Sequence, residues 1–212
     1  MKIKSFTFNP FQENTFVVYD DTKECVIIDP GCYTDKERDE LRRFITSEGL
    51  KPVKLINTHC HIDHVLGNKF VSELWDLELY MNKEDLSLLE NAGNIGKMYG
   101  IEDYEGSPYP MHFLVQDDKL TFGESSFKIL FTPGHAPGHI CLYSKKNNLV
   151  IAGDVLFQGS IGRTDLAGGD HSTLINSIIT QLFPLPNETQ VFCGHGPSTT
   201  IGYEKEHNPH LQ

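Results

Sequence analysis

The sequence has little with which to bind nucleic acid, cross a membrane or build a disulfide framework. Lys and Arg number 18 against 29 Asp and Glu, a net charge of −11, which disfavours a basic surface for a phosphate backbone. No apolar run approaches the length of a membrane span. The opening Met1-Lys2-Ile3-Lys4-Ser5-Phe6 has no hydrophobic signal core. Five cysteines (Cys25, Cys32, Cys60, Cys141 and Cys193) are odd in number and form no C-x-x-C pair. That usage points to reduced thiols in a cytoplasmic protein rather than to cross-links. Internal repeats and low-complexity segments are missing as well. A length of 212 residues suits one large core or at most two small domains.

What the chain does have is a concentration of metal-ligand types in Thr58-His59-Cys60-His61-Ile62-Asp63-His64. His59, His61 and His64 offer imidazoles and Asp63 a carboxylate, a donor set that suits zinc, iron or manganese. The apolar Val53-Lys54-Leu55-Ile56-Asn57 before it reads as a buried strand, so the ligands are expected where a strand ends and a loop begins. Their spacing is not that of a helical zincin. Cys60 is out of phase with His59 and His61 and reads as a packing residue. The run resembles the His-x-His-x-Asp-His signature of the metallo-β-lactamase superfamily.

Along the chain, residues 2–8, Asn14 to Tyr19 and Cys25 to Ile28 read as an antiparallel meander turning at Asp20-Asp21. It ends in Asp29-Pro30-Gly31. Asp29 either starts a turn or, as the resemblance implies, supports the metal centre from behind its ligands. Thr34-Asp35-Lys36-Glu37 is a capping box opening a helix to about Glu48, with Leu41, Phe44 and Ile45 as its apolar stripe and Gly49 as its stop. A helix is expected from Asp63 or His64 through Leu74. A second helical region is expected over 83–99 with Leu86, Leu89 and Met98 inward, followed by a loop over 100–110. Strand and helix alternation in this half implies an α/β layer.

Further strands are expected at Leu120-Thr121-Phe122, Phe127 to Phe131, Ile140 to Tyr143, Leu149 to Ala152 and Gln190 to Cys193. Three of them end in a ligand type: His135 after Pro133-Gly134, Asp154 after Gly153, and His195 between two glycines. His139 follows a second Pro-Gly and reads as a packing or hydrogen-bonding residue. The segment 158–170 is rich in glycine and carries Arg163, which either pairs with Asp165 or Asp170 or clamps an anionic substrate. Leu174, Ile175, Ile178, Ile179 and Leu182 mark an amphipathic helix. A short helix is expected in the tail from Ser198 to Asn208.

The candidates sort into a three-imidazole set (His59, His61, His135) and a second set (Asp63, His64, His195), with Asp154 placed to bridge. Three protein ligands and an open position are how a catalytic metal is held. One or two divalent ions, zinc foremost with iron or manganese as alternatives, would supply hydroxide near neutral pH and polarise a carbonyl, giving hydrolysis of an acyl or phosphoryl bond. The order of ligands matches the superfamily pattern from end to end. The resemblance implies a single domain over 1–212 with the four-layer αββα sandwich. Gly-Ser-Ile-Gly-Arg-Thr-Asp-Leu-Ala-Gly-Gly-Asp (159–170) and Cys-Gly-His-Gly-Pro-Ser-Thr-Thr-Ile-Gly (193–202) resemble the glyoxalase II-like group of hydroxyacylglutathione hydrolases, closest to its compact bacterial members. The implied reaction is thioester hydrolysis, of S-lactoylglutathione or a related acyl thioester. Asp63 and Asp154 are the catalytic carboxylates and Arg163 the substrate contact. With 17 residues following His195, the chain is expected to lack the C-terminal helical glutathione-binding domain of two-domain glyoxalase II. A mono-iron persulfide dioxygenase of the same superfamily is the alternative. The retention of Asp63, His64 and His195 favours hydrolysis over it. The expected partner is a small thioester, with no nucleic acid and no membrane.

Overall fold

The computed structural model describes all 212 residues. The first strands follow the expected meander: β1 (Lys2–Phe8), β2 (Glu13–Tyr19) and β3 (Glu24–Ile28) pair antiparallel. Helix α1 (Asp35–Ser47) starts on the capping box, with Thr34 accepting from the Glu37 amide and Glu37 reaching back to Thr34. It buries Leu41 and Ile45 and ends before Gly49 at φ +62. It leads into β4 (Lys51–Ile56), parallel to β3.

One helix was expected after β4, and there are two, α2 (Ile62–Val65) and α3 (Asn68–Trp75). The break falls at Gly67, where a Cβ would collide with the Cys32 thiol and the Pro30 carbonyl. The chain can pass that point only without a side chain. Next come β5 (Leu79–Met81), a 3-10 turn over Lys83–Asp85, α4 (Leu86–Met98) and β6 (His112–Phe113). Met98 does not point inward: it is 80% exposed. The inward face of α4 is Leu89, Ala92 and Gly96, at helical spacing, and Met98 lies more than half a turn from Gly96. β3 to β6 are parallel, so the first sheet runs β1-β2-β3-β4-β5-β6 in sequence order.

The second sheet repeats the scheme of meander plus crossover. β7 (Lys119–Phe122), β8 (Ser125–Phe131), β9 (Ile140–Ser144) and β10 (Leu149–Gly153) are followed by the small hairpin of β11 (Leu156–Phe157) and β12 (Ser160–Ile161). Helix α5 (His171–Ser177), capped by Asp170, runs on as a π-helical turn over Ile178–Leu182. Leu174, Ile178 and Leu182 are buried and Ile179 is outside. β13 (Gln190–Cys193) lies parallel to β10, and β14 (Thr199–Thr200) leads into α6 (Ile201–His207), the expected tail helix. The order is β14-β13-β10-β9-β8-β7.

The chain forms two compact units: Met1–Phe113 with Thr121–Ser125, and Leu114–Leu120 with Ser126–Gln212. Each has its own apolar core, one centred on Ile27, Leu41, Leu55, Leu79 and Met81, the other on Val150, Leu174, Ile178 and Val191. No helix is long and apolar enough to cross a membrane. All five cysteines are buried with free thiols. Burial pushes the thiols of Cys25, Cys32, Cys141 and Cys193 up to about 12.

Candidate metal centre

In the first unit the ligand run follows β4 directly, and His61 stands at the N-terminus of α2. His59 and His61 stand in a stretch without regular secondary structure between β4 and α2, and the helical turn brings His64 back beside His59. The His59 and His61 rings are 4.9 Å apart at 89°, and those of His59 and His64 are 4.1 Å apart. Asp63 and His64 approach each other at 3.6 Å between Oδ2 and Nε2.

Four buried side chains from different parts of the unit hold the backbone of this run. Asp29 accepts from the Thr58 amide at 2.7 Å and the Thr58 hydroxyl at 2.6 Å. Asp85 accepts from the Cys60 amide at 2.9 Å. Asn9 donates to the Asp63 carbonyl at 2.9 Å, and Asn57 to the His64 carbonyl at 3.1 Å. Asn57 is fixed in turn by Asn68, and Asn68 by Ser107. Asp29 is therefore both a turn residue, in the left-handed region at φ +49, and a support of the ligand loop. Cys60 packs, with Sγ 3.7 Å from Met81 Sδ. Burial, with the Asp85 charge adding to it, pushes its thiol well above the usual range.

Glu13, wholly buried, faces His64 at 3.9 Å and accepts from Thr15. Burial raises its carboxyl well above the usual carboxylate range, against the pull of His64.

The imidazole protons are directed by these neighbours. Thr58 Oγ1 spends its proton on Asp29, so at 3.2 Å from His59 Nδ1 it accepts. His64 Nδ1 lies 3.2 Å from Asp29 Oδ2 and donates to it. Both rings then present Nε2 as a lone-pair atom, the form in which imidazole binds a metal.

In the second unit, His135 sits in the turn after β8, Asp154 directly after β10 and His195 after β13. The Arg163 carbonyl accepts from His135 Nδ1 at 2.7 Å, again leaving Nε2 for coordination. His135 Nε2 and His195 Nε2 lie 3.6 and 3.5 Å from the same oxygen, Asp154 Oδ2. These separations exceed an N–H···O hydrogen bond. They match the ~3.4 Å between two atoms each about 2.1 Å from one tetrahedral ion. The donor set thus fits a divalent metal.

His139 is buried and does not join the ligands: its Nε2 accepts from the Asp154 amide at 3.0 Å and its Nδ1 meets Thr132 Oγ1 at 3.0 Å. A neutral ring protonated on Nδ1 satisfies both contacts, and it fixes the backbone from which Asp154 projects. Gly162 passes so close to the Asp154 carbonyl that a Cβ there would collide with it. Arg163 forms a two-pronged pair with Asp165, 2.7 Å at each contact, on the exposed loop. That pair holds the Asp165 carboxyl down at about 2.

The sequence reading passed over Asn9, Asn57, Asn68, Asp85 and Glu204. Glu204 on α6 is wholly buried: Thr199 Oγ1 donates to it at 2.5 Å, the Gly159 amide at 3.0 Å and Asn208 at 2.8 Å. Asn208 also donates to the Ser160 carbonyl at 3.0 Å. The tail helix thereby ties down the β11–β12 hairpin at the root of the glycine-rich loop. Asn57, a polar residue closing an apolar strand, was the one visible signal among these five.

The chain is 37% identical to the hydroxyacylglutathione hydrolase GloC of Haemophilus influenzae over 216 residues, covering 100% of this chain and 98% of that one. Its fold matches the crystal structure of the BLEG-1 B3 metallo-beta-lactamase with a TM-score of 0.91, 38% identity and 100% of both chains covered. It matches TTHA1623, crystallised in a di-iron-bound form, with a TM-score of 0.87 and 38% identity over 97% of this chain and 98% of that one. Residues 8–195 match the sequence pattern of the metallo-beta-lactamase superfamily, and the chain belongs to that family.

Proposed function

We propose that the chain is a metal-dependent hydrolase of acyl thioesters, acting as one metallo-β-lactamase-fold domain in the cytoplasm. In this reading His59, His61 and His135 hold one divalent ion. Asp63, His64 and His195 would hold a second, and Asp154 would serve both sets. Zinc is the first choice, with iron or manganese as alternatives. The observation that carries the reading is the convergence of His135 and His195 on the single oxygen Asp154 Oδ2. A carboxylate oxygen set between two imidazole nitrogens suits a cation on either side of it. Bound ions supply an acidified water and a Lewis acid for the carbonyl oxygen.

The chain's own residues do the rest. Thr58, Asp29 and the Arg163 carbonyl keep the protons of His59, His64 and His135 on Nδ1. Asp63 and Asp154 remain acceptors that orient the attacking water. Arg163 attracts a substrate carboxylate once released from Asp165. A thioester suits a centre with no evident general acid, since a thiolate leaves readily near neutral pH. The similarity to GloC and the 159–170 segment support a glutathione thioester such as S-lactoylglutathione. The similarity to BLEG-1 supports a second reading, opening of a β-lactam at the same centre.

The test supplies S-lactoylglutathione, other acyl thioesters and a β-lactam to zinc- and iron-loaded protein without oxygen, then glutathione persulfide with oxygen. Anaerobic release of free thiol, abolished by chelation and restored by metal, is the expected result. Lactam opening without thioester turnover would favour the second reading. Oxygen uptake with persulfide and no thioester turnover at any metal loading would replace both with sulfur oxidation.

A further inference from the structure

We propose that Asp85 is a positioning residue of the metal centre, setting the spread between His59 and His61 by holding the peptide amide that lies between them. Asp85 closes the 3-10 turn before α4, far in sequence from the ligand run, and is wholly buried. Its Oδ2 accepts from the Cys60 amide at 2.9 Å. Two residues earlier, Asp29 accepts from the Thr58 amide at 2.7 Å. The stretch lies past the end of β4 and carries a bend at Thr58. Two carboxylates from separate elements pin the Thr58 and Cys60 amides across that bend, and the torsions of the intervening backbone lose their freedom.

The His59 and His61 rings, 4.9 Å apart at 89°, take their directions from that pinned backbone. Asn9 and Asn57 fix the later part of the run through the Asp63 and His64 carbonyls. Asp85 alone of the four holds the amide with an imidazole on each side. Without its carboxylate the Cys60 N–H is left in a buried place with no acceptor, and the peptide turns to find one. The two imidazoles then meet an ion at the wrong separation.

The inference rests on His59 and His61 being metal ligands, and the experiment separates the two claims. Zinc affinity is measured by competition with a chromophoric chelator, alongside thermal unfolding of the metal-free protein. Asp85→Ala is expected to weaken zinc binding about 10–100-fold, the usual cost of losing a residue that orients a ligand. Asp85→Asn keeps an acceptor oxygen and restores affinity to within about threefold. Should Asp85→Ala not fold, Asp85→Glu, which displaces the carboxylate by one methylene, is expected to show the same loss with the fold kept. Unchanged zinc affinity in either of these variants, even with lower stability of the metal-free protein, would make Asp85 a structural residue and overturn the inference. Unchanged affinity in His61→Ala would instead remove the ligand assignment beneath it.

Discussion

Glu204 offers a quantitative check on how the glycine-rich loop is held. Its carboxylate is wholly buried on α6 and takes three donors: the Thr199 hydroxyl, the Gly159 amide and the Asn208 side chain. Glu204→Ala strands all three at once. Each buried donor left without an acceptor costs about 1–3 kcal/mol. Water entering the vacated space recovers part of that, so a net loss of about 3–5 kcal/mol is expected. For a chain of this size each kcal/mol lowers the melting temperature by roughly 2–4 °C, which places the expected fall on the order of 10 °C. Glu204→Gln keeps one acceptor, and the Thr199 hydroxyl can turn to accept, so about 1–2 kcal/mol is expected there. The assay is urea and thermal unfolding, paired with limited proteolysis around residues 158–163. Cleavage there should accelerate in Glu204→Ala before global unfolding begins. A variant within about 1 kcal/mol of wild type, the worth of one ordinary hydrogen bond, with unchanged cleavage would refute the claim that α6 anchors the loop.

Other outcomes follow from the same geometry. Replacing His135 by Ala should empty the first metal position and abolish turnover. Replacing His195 should empty only the second, and Asp154→Ala should lower metal content at both, as read by elemental analysis. Arg163→Ala should raise KM for anionic thioesters by the equivalent of about 1–3 kcal/mol and leave neutral ones nearly unchanged. Equal effects on both would make the Arg163–Asp165 pair a loop brace only. Asp20, buried at the turn after β2, is opposed by desolvation. Hydrogen bonds from Thr22, Ser125 and the Glu124 amide outweigh that and lower its carboxyl from 3.8 to about 2. Its folded-state value is depressed, so its contribution is present above about pH 4 and fades as the pH falls toward 2. Allowing for screening by solvent at the turn, Asp20→Asn should cost about 1–2 kcal/mol at neutral pH, a gap that closes on acidification.

Much of the fold was legible because each of its signals is local. The capping box of α1 and the strand ends that deliver His59, His135, Asp154 and His195 are short-range patterns, and they stand at the expected positions. Gly67 was legible as a residue but not as a break, because what forbids a side chain there is Cys32 and Pro30, distant in sequence. Met98 was misjudged because apolar character was taken for burial, while the close face of α4 is made by Ala92 and Gly96. The candidate ligand types could be read off, but the buried residues that hydrogen-bond the backbone around them could not. Asp85, Asn9 and Glu204 act through buried hydrogen bonds to backbone 25, 54 and 45 residues away in the chain. No periodicity marks such a partner in advance.

The five buried thiols carry a practical consequence. A cysteine reacts as its thiolate, and burial pushes four of the thiols up to about 12 and the fifth well above the usual thiol range, so alkylating reagents should pass the native protein by. The thiols are also partitioned: Cys25, Cys32 and Cys60 fall in the first compact unit, Cys141 and Cys193 in the second. The wild-type chain therefore carries built-in reporters of unfolding, three in one unit and two in the other. Pulsed labelling followed by peptide mapping would show whether the two units unfold in one event or in turn, with no engineered probe.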